Sequence, residues 1–248
     1  MDISPGITPA LGIPALLVKE KEALVIGDLH IGMESRYSRE GVHFGNSAIR
    51  MGTLVAEACE RYNCKRVVLL GDIKESIGFP DRHEYEELMY FFAQLRGYEV
   101  LIAKGNHDSH GSEILGRIGI KCSIDNEILL GRCAFLHGNS WPSEAAMLAR
   151  YLVCGHGHFA LDMNSSREKV FISAKVARGA DKHYKKFNKN CRMILVPAFS
   201  SLILGTAIEV TPPRGLPALK NGVFDWKGAD VFSLSGKRYG KIGRLTQD

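Results

Sequence analysis

"KRVVLLGDIKE", residues 65–75, decides how the chain is read. Val67 to Leu70 is a continuous apolar run rather than an alternating one, which marks a strand buried on both faces, as in a parallel sheet. The run stops at Gly71 and delivers Asp72. The same construction recurs on either side. "EALVIGDLH" (22–30) is an apolar run that ends in Gly27 and Asp28, and "YEVLIAKGNHD" (98–108) ends in Gly105 and Asn106. Between the first two runs, "IRMGTLVAEACERY" (49–62) places Met51, Leu54, Val55, Ala58 and Cys59 at helical spacing. Between the next two, residues 80–96 open with Pro80 and acids and close on Arg96, as a helix does. A β-α-β-α-β alternation of this kind predicts parallel strands with helices on the sheet.

The pattern then changes. "EILLG" (127–131), "RCAFLHG" (132–138) and "YLVCGHG" (151–157) read as short strands, with a helix at "SEAAMLAR" (143–150) before the last. "EKVFISAKV" (168–176) and "RMILVPAF" (192–199) are further strands. After the breaker "TPPRGLP" (211–217), "DVFSLSGKRYGKI" (230–242) reads as a hairpin around Gly236. Two sheets packed together, with helices outside, are expected in one domain over 1–248. Within it we expect an extended segment at 1–14, a core from about 15 to 205 and a C-terminal β extension from about 211 onward.

Of the 248 residues, 45% are hydrophobic and 24% charged, a globular composition. The net charge of +5 favours anionic partners but is too small to argue for nucleic acid by itself. No apolar run approaches the roughly 20 residues that span a bilayer, so no membrane is expected. "MDISPGITPALGIP" lacks the basic and apolar regions of a secretory leader. The six cysteines are scattered without a Cys-x-x-Cys pair and read as reduced, mostly buried thiols of a cytoplasmic protein.

Polar residues gather at the carboxyl ends of strands: Asp28 and His30, Asp72, then Asn106, His107 and Asp108, then His137, then His156 and His158. In open α/β sheets that end is where ligands bind. Taken singly each has an ordinary explanation, Asp28 as a helix cap and Gly-His-Gly-His as a loop. Five successive strand ends make one site. Its imidazole nitrogens and hard oxygens, without thiolate, suit a divalent ion in open geometry: manganese first, with iron, zinc, nickel or cobalt as alternatives. Asp-x-His and His-x-His, in an extended segment, would turn both side chains of each pair to one side. His43, His83, His110 and His183 are read as structural or surface residues.

The ordered set "GDLH" (27–30), "GDIKE" (71–75), "GNHD" (105–108), "LHG" (136–138) and "GHGH" (155–158) resembles the calcineurin-like metallophosphoesterases. With "DLHIG", "LVPAF" and the final hairpin it looks like one archaeal and bacterial branch. That branch is distantly similar to recombination nucleases and includes a DNA-ligase-associated endonuclease group. The resemblance implies an α/β four-layer α-β-β-α sandwich with two mixed sheets and a dinuclear metal centre. Asp28, His30, Asp72 and His158 would hold one ion, and Asp72, Asn106, His137 and His156 the other, with Asp72 bridging. His107 would face the substrate, and Asp108 would orient His107 and raise its basicity. Glu75 stands where the family's pattern has a second Asp, a position that usually backs the ligands, so its role is left open. The reaction implied is hydrolysis of a phosphate ester by a hydroxide that two ions, about 3.5 to 4 Å apart, share and activate.

The substrate is less legible. "KHYKKFNKNCR" (182–192) interleaves bases, including Lys185 and Lys186, with Tyr184 and Phe187, as either a nucleic-acid contact or a solvated loop. "MESRYSREGVHFG" (33–45), with Arg36 and Arg39, is either a rim over the site or a plain connection. Three readings stand: a phosphodiesterase that extends to nucleic acid, a phosphomonoesterase or cyclic-nucleotide hydrolase, and a binding scaffold without catalysis. Family analogy alone leaves a homodimer open.

Overall fold

A computed structural model describes residues 2–34, 47–163 and 166–245. The first sheet has six strands in chain order: β1 (Ile7–Pro9), β2 (Leu16–Val18), β3 (Ala23–Ile26), β4 (Arg66–Leu69), β5 (Glu99–Ala103) and β6 (Ser123–Asp125). β1 to β3 run antiparallel, and β3 to β6 are parallel. The crossovers are helices, as parallel pairing demands. They are α1 (Ser47–Tyr62), α2 (Arg82–Gln94) and α3 (Gly111–Arg117). Asp81 caps α2, its side chain accepting from the Glu84 N–H at 2.9 Å.

The second sheet has nine strands. They are β7 (Glu127–Leu130), β8 (Cys133–Leu136), β9 (Tyr151–Cys154), β10 (Phe159–Met163), β11 (Ser166–Lys175), β12 (Arg192–Leu195), β13 (Thr206–Ala207), β14 (Asp230–Ser233) and β15 (Arg238–Lys241). The main order is β13-β10-β11-β12-β9-β8-β7, mixed parallel and antiparallel, with β14 paired to β11 and β15 to β14. Three short helices accompany it: α4 (Glu144–Met147), α5 (Pro217–Lys220) and α6 (Ile242–Leu245).

Why two sheets rather than one follows from strands buried on both faces. Along β3, Ala23 and Val25 join the core between the sheets, while Leu24 and Ile26 join the core under α1 and α2. Along β9, Tyr151 and Val153 face the first sheet, while Leu152 and Cys154 face the outer core with Trp226 and Ile242. Three apolar cores thus separate four layers. Each fully buried aliphatic side chain contributes about 1.5–3 kcal/mol.

The hairpin expected at 230–242 forms, turning where the Gly236 N–H meets the Ser233 carbonyl. It is built into the second sheet through β11, and Val231 enters the outer core. The N-terminal residues likewise supply an edge strand rather than only a lead-in. All six cysteines are free thiols, five of them buried. Among the described residues no helix is long and apolar enough to cross a membrane.

Candidate metal centre

The ends of β3, β4, β5, β8 and β9 meet at one place. Beyond their last regular residues the loops continue the ladder: the Asp28 N–H donates to the Gly71 carbonyl, that of His30 to Asp72, and that of Ile31 to Ile73. The loops 71–73 and 105–108 approach so closely that a Cβ on Gly71 would lie 2.5 Å from the Gly105 nitrogen. Only glycine fits there.

Three ligand-atom clusters result, each with its atoms within 4.8 Å of one another: Asp28, His30 and His158; His30, Asp72 and His107; and Asp72, His137 and His156. Asp72 joins two of them through one atom. Its Oδ2 lies 3.6 Å from His30 Nε2 and 3.3 Å from His137 Nε2, while Oδ1 accepts from the His107 N–H at 2.9 Å. The Asn106 amide oxygen is 3.2 Å from His137 Nε2, and His156 Nδ1 is 2.9 Å from the same nitrogen. On the other side Asp28 Oδ1 stands 3.1 Å from His158 Nε2. The structure therefore brings together all seven residues expected to hold metal, with His107 beside them.

Backbone conformation, not extended alternation, creates this convergence. Asp28, His30, Asp72, His156 and His158 all adopt left-handed φ, between 45° and 65°. Each such residue costs on the order of 1 kcal/mol. Strain of this kind collects at functional sites.

The tautomers follow from carbonyls and carboxylates, which can only accept. His137 Nδ1 donates to the Leu70 carbonyl at 2.7 Å, and His30 Nδ1 meets Glu75 Oε2 at 2.9 Å. Both pairings leave Nε2 turned toward the cluster. Among the described residues, His30 Nε2 and His158 Nε2 are buried nitrogens with no hydrogen-bond partner. Orphaned imidazole nitrogens facing two carboxylates are the donor set a divalent cation completes. The residues fit the expected ions.

The charges act on one another. Burial opposes a proton on His137, but its hydrogen bond to Asp72 and the charges of Asp28 and Asp72 hold its pKa up at about 9. Burial would raise Asp72, yet the hydrogen bond and charge of His137 push it far below the carboxylate range. Burial and then the charge of His137 bring His156 down to about 4.

Glu75 backs two histidines, His30 through its carboxylate and His107 through its carbonyl, which accepts from Nδ1 at 2.6 Å. Asp108, expected to orient His107, makes its observed hydrogen bonds to backbone groups instead. Its Oδ2 accepts the N–H groups of Gly105 and Asp72, each at 2.8 Å, and Oδ1 accepts that of Ile73 at 2.9 Å. Three buried backbone donors converge on this carboxylate, so it ties the loops 71–73 and 105–108 together. The buried Lys74 plays a matching part, donating to the carbonyls of Ser76, Gly78 (2.8 Å) and His107 (2.6 Å).

Lys185 and Lys186 are exposed, and no hydrogen bond or ion pair joins either to the cluster. Lys185 lines a different groove, with Arg178, Phe187 and Lys189. Arg36 and Arg39 lie outside the described residues. Two neighbours of the site escaped sequence reasoning. Gly215 packs on His156, where a Cβ would stand 3.0 Å from Nε2. Trp141, four residues past His137, is 45% exposed and lines a groove of about 690 Å³ together with Lys104 and Gly105.

Residues 22–195 match the family model of the calcineurin-like phosphoesterases. The chain belongs to that family. It is therefore a hydrolase acting on ester bonds, and the family implies a dinuclear divalent metal centre. Nuclease MPE from Pseudomonas putida shares the fold at 16% identity and a TM-score of 0.60, over 91% of this chain and 90% of that one. The phosphoesterase YfcE from E. coli aligns at 14% identity and a TM-score of 0.41, over 88% and 97%. No curated protein sequence matches significantly.

Proposed function

We propose that this phosphoesterase is a phosphodiesterase that acts on nucleic acid, with manganese as its preferred ion. The carrying observation is the open groove of about 690 Å³ that Gly105, the chain neighbour of Asn106, helps to line. A monoester needs room for one substituent, and a diester needs room for two. The fold shared with a nuclease agrees with this reading. The free thiols suit the reducing cytoplasm.

Asp28, His30, Asp72 and His158 would hold one ion, and Asp72, Asn106, His137 and His156 the other. Bound there, two divalent ions supply Lewis acidity to the phosphate and an acidified water. The chain supplies the rest. Asp72 sets the spacing of the two sites, and the amide of Asn106 adds an oxygen without adding charge. His107 keeps Nδ1–H on the Glu75 carbonyl, and with a second proton on Nε2 it would stabilise charge on the phosphate or give that proton to the leaving oxygen.

The test is hydrolysis of bis-p-nitrophenyl phosphate beside p-nitrophenyl phosphate, each with Mn²⁺, with Mg²⁺ and with chelator. Metal-dependent preference for the diester is expected. Preference for the monoester would move the function to a small-molecule phosphatase, and no turnover with any ion would leave a binding scaffold.

A further inference from the structure

Trp141 is an exposed aromatic with no role in the metal chemistry. It lies on the loop that leaves His137, and His183 covers one side of its ring, with centroids 5.2 Å apart and planes 34° apart. Tyr184 fixes that arrangement: it is buried, and its hydroxyl donates to the Pro142 carbonyl at 2.8 Å. The indole is thus braced on one side by His183 while it lines the groove that Gly105 also lines. A large apolar ring held at 45% exposure costs hydration, and a stacking ligand recovers it.

The rest of the groove is polar and nearly neutral. Asn126, Asn139 and Ser140 present amides and a hydroxyl, while the Glu127 carboxylate is already taken by the N–H (2.7 Å) and hydroxyl of Ser143. Lys104 and Asp125 remain as opposed charges. A flat aromatic face beside hydrogen-bonding edges, in a groove that shares Gly105 with the loop carrying Asn106 and His107, matches a nucleobase better than a polyanion backbone. We propose that this groove seats the nucleotide next to the scissile phosphate, with its base stacked on Trp141. The proposal rests on the diesterase reading above and names the substrate's recognised part. Because few net charges line the groove, binding there depends weakly on salt. The basic groove of Arg178, Lys185 and Lys189 would behave oppositely.

The chain has two tryptophans, and the other, Trp226, is 3% exposed. Trp141 therefore dominates any quenching by an added ligand. Hexathymidylate titrated into the full chain in chelator, so that nothing turns over, should quench the emission saturably. It should do so with little change between about 50 and 200 mM salt, a range over which contacts to several phosphates would weaken steeply. Trp141→Phe should abolish the quenching, and inorganic phosphate should not produce it. In a second arm, kcat/KM is compared for thymidine 5′-p-nitrophenyl phosphate and methyl p-nitrophenyl phosphate. Trp141→Ala should lower the ratio about tenfold or more, and Trp141→Phe should largely restore it. Quenching that survives in Trp141→Phe, a steep salt dependence, or an unchanged ratio would overturn the proposal. The binding arm needs no turnover. Failure of the diesterase reading with quenching intact is thus distinguishable from turnover without quenching.

Discussion

Asp108 offers the sharpest test of how the metal centre is built. Replacing it with Ala leaves the N–H groups of Gly105, Asp72 and Ile73 buried without partners. Each orphaned donor costs about 1–3 kcal/mol, so the total is on the order of 5 kcal/mol. That is a large share of the roughly 5–15 kcal/mol that keeps a domain folded. Asp108→Asn is milder. The amide oxygen can keep the two donors at 2.8 Å, but its NH₂ then faces the Ile73 N–H, for a loss of about 2–4 kcal/mol. Urea unfolding in chelator, followed by circular dichroism, reads both values without any contribution from bound ions. Metal affinity should fall in the same order, because the tied loops carry Asp72 and Asn106. If Asp108→Ala unfolds within 1 kcal/mol of the parent and only turnover drops, the carboxylate serves His107 after all, and the backbone account fails.

Three further outcomes are expected. His107→Ala should keep both ions by elemental analysis and lose about 10²–10⁴-fold in kcat; loss of metal would make His107 a ligand. Glu75→Ala should weaken the ion held by His30 by about 10–100-fold in a competition titration, and Glu75→Gln should recover part of it; equal affinities would show that the contact to His30 Nδ1 is idle. In chelator, His137 has its pKa raised to about 9 from 6.5, so its stabilisation is present below pH 6.5 and is lost as pH rises through 9. Thermal melts should therefore fall across that window, and manganese binding at pH 7 should release protons that calorimetry in two buffers detects; a flat profile and no proton release would contradict the charge assignment.

Much of the architecture was readable because its causes are local. Val67–Leu70 and Leu24–Ile26 are apolar at every position, and only a strand covered on both faces tolerates that. The helix over 82–94 announces itself by Pro80 and the Asp81 cap. The clustering of these side chains was readable because Asp, Asn and His recur at successive strand ends. What stayed hidden depends on approach between distant segments. Two of the three partners of Asp108 lie in a loop some 35 residues away, and all three are backbone groups, which leave no mark on side-chain identity. Trp141 gains its setting from His183 and Tyr184, about 40 residues on. Gly215 sits in what reads as a plain breaker, yet it touches His156. The left-handed conformation of Asp28, His30, Asp72, His156 and His158 is uncommon for any residue but glycine, and no local pattern announces it. Local rules fail most where function is concentrated.

The central claim is that Asp72 joins two ion sites through one oxygen. The most direct measurement is manganese stoichiometry on the reconstituted chain together with its electron paramagnetic resonance spectrum. The account predicts two ions per chain and the spectrum of a spin-coupled pair. One ion per chain with the hyperfine pattern of isolated manganese would contradict it.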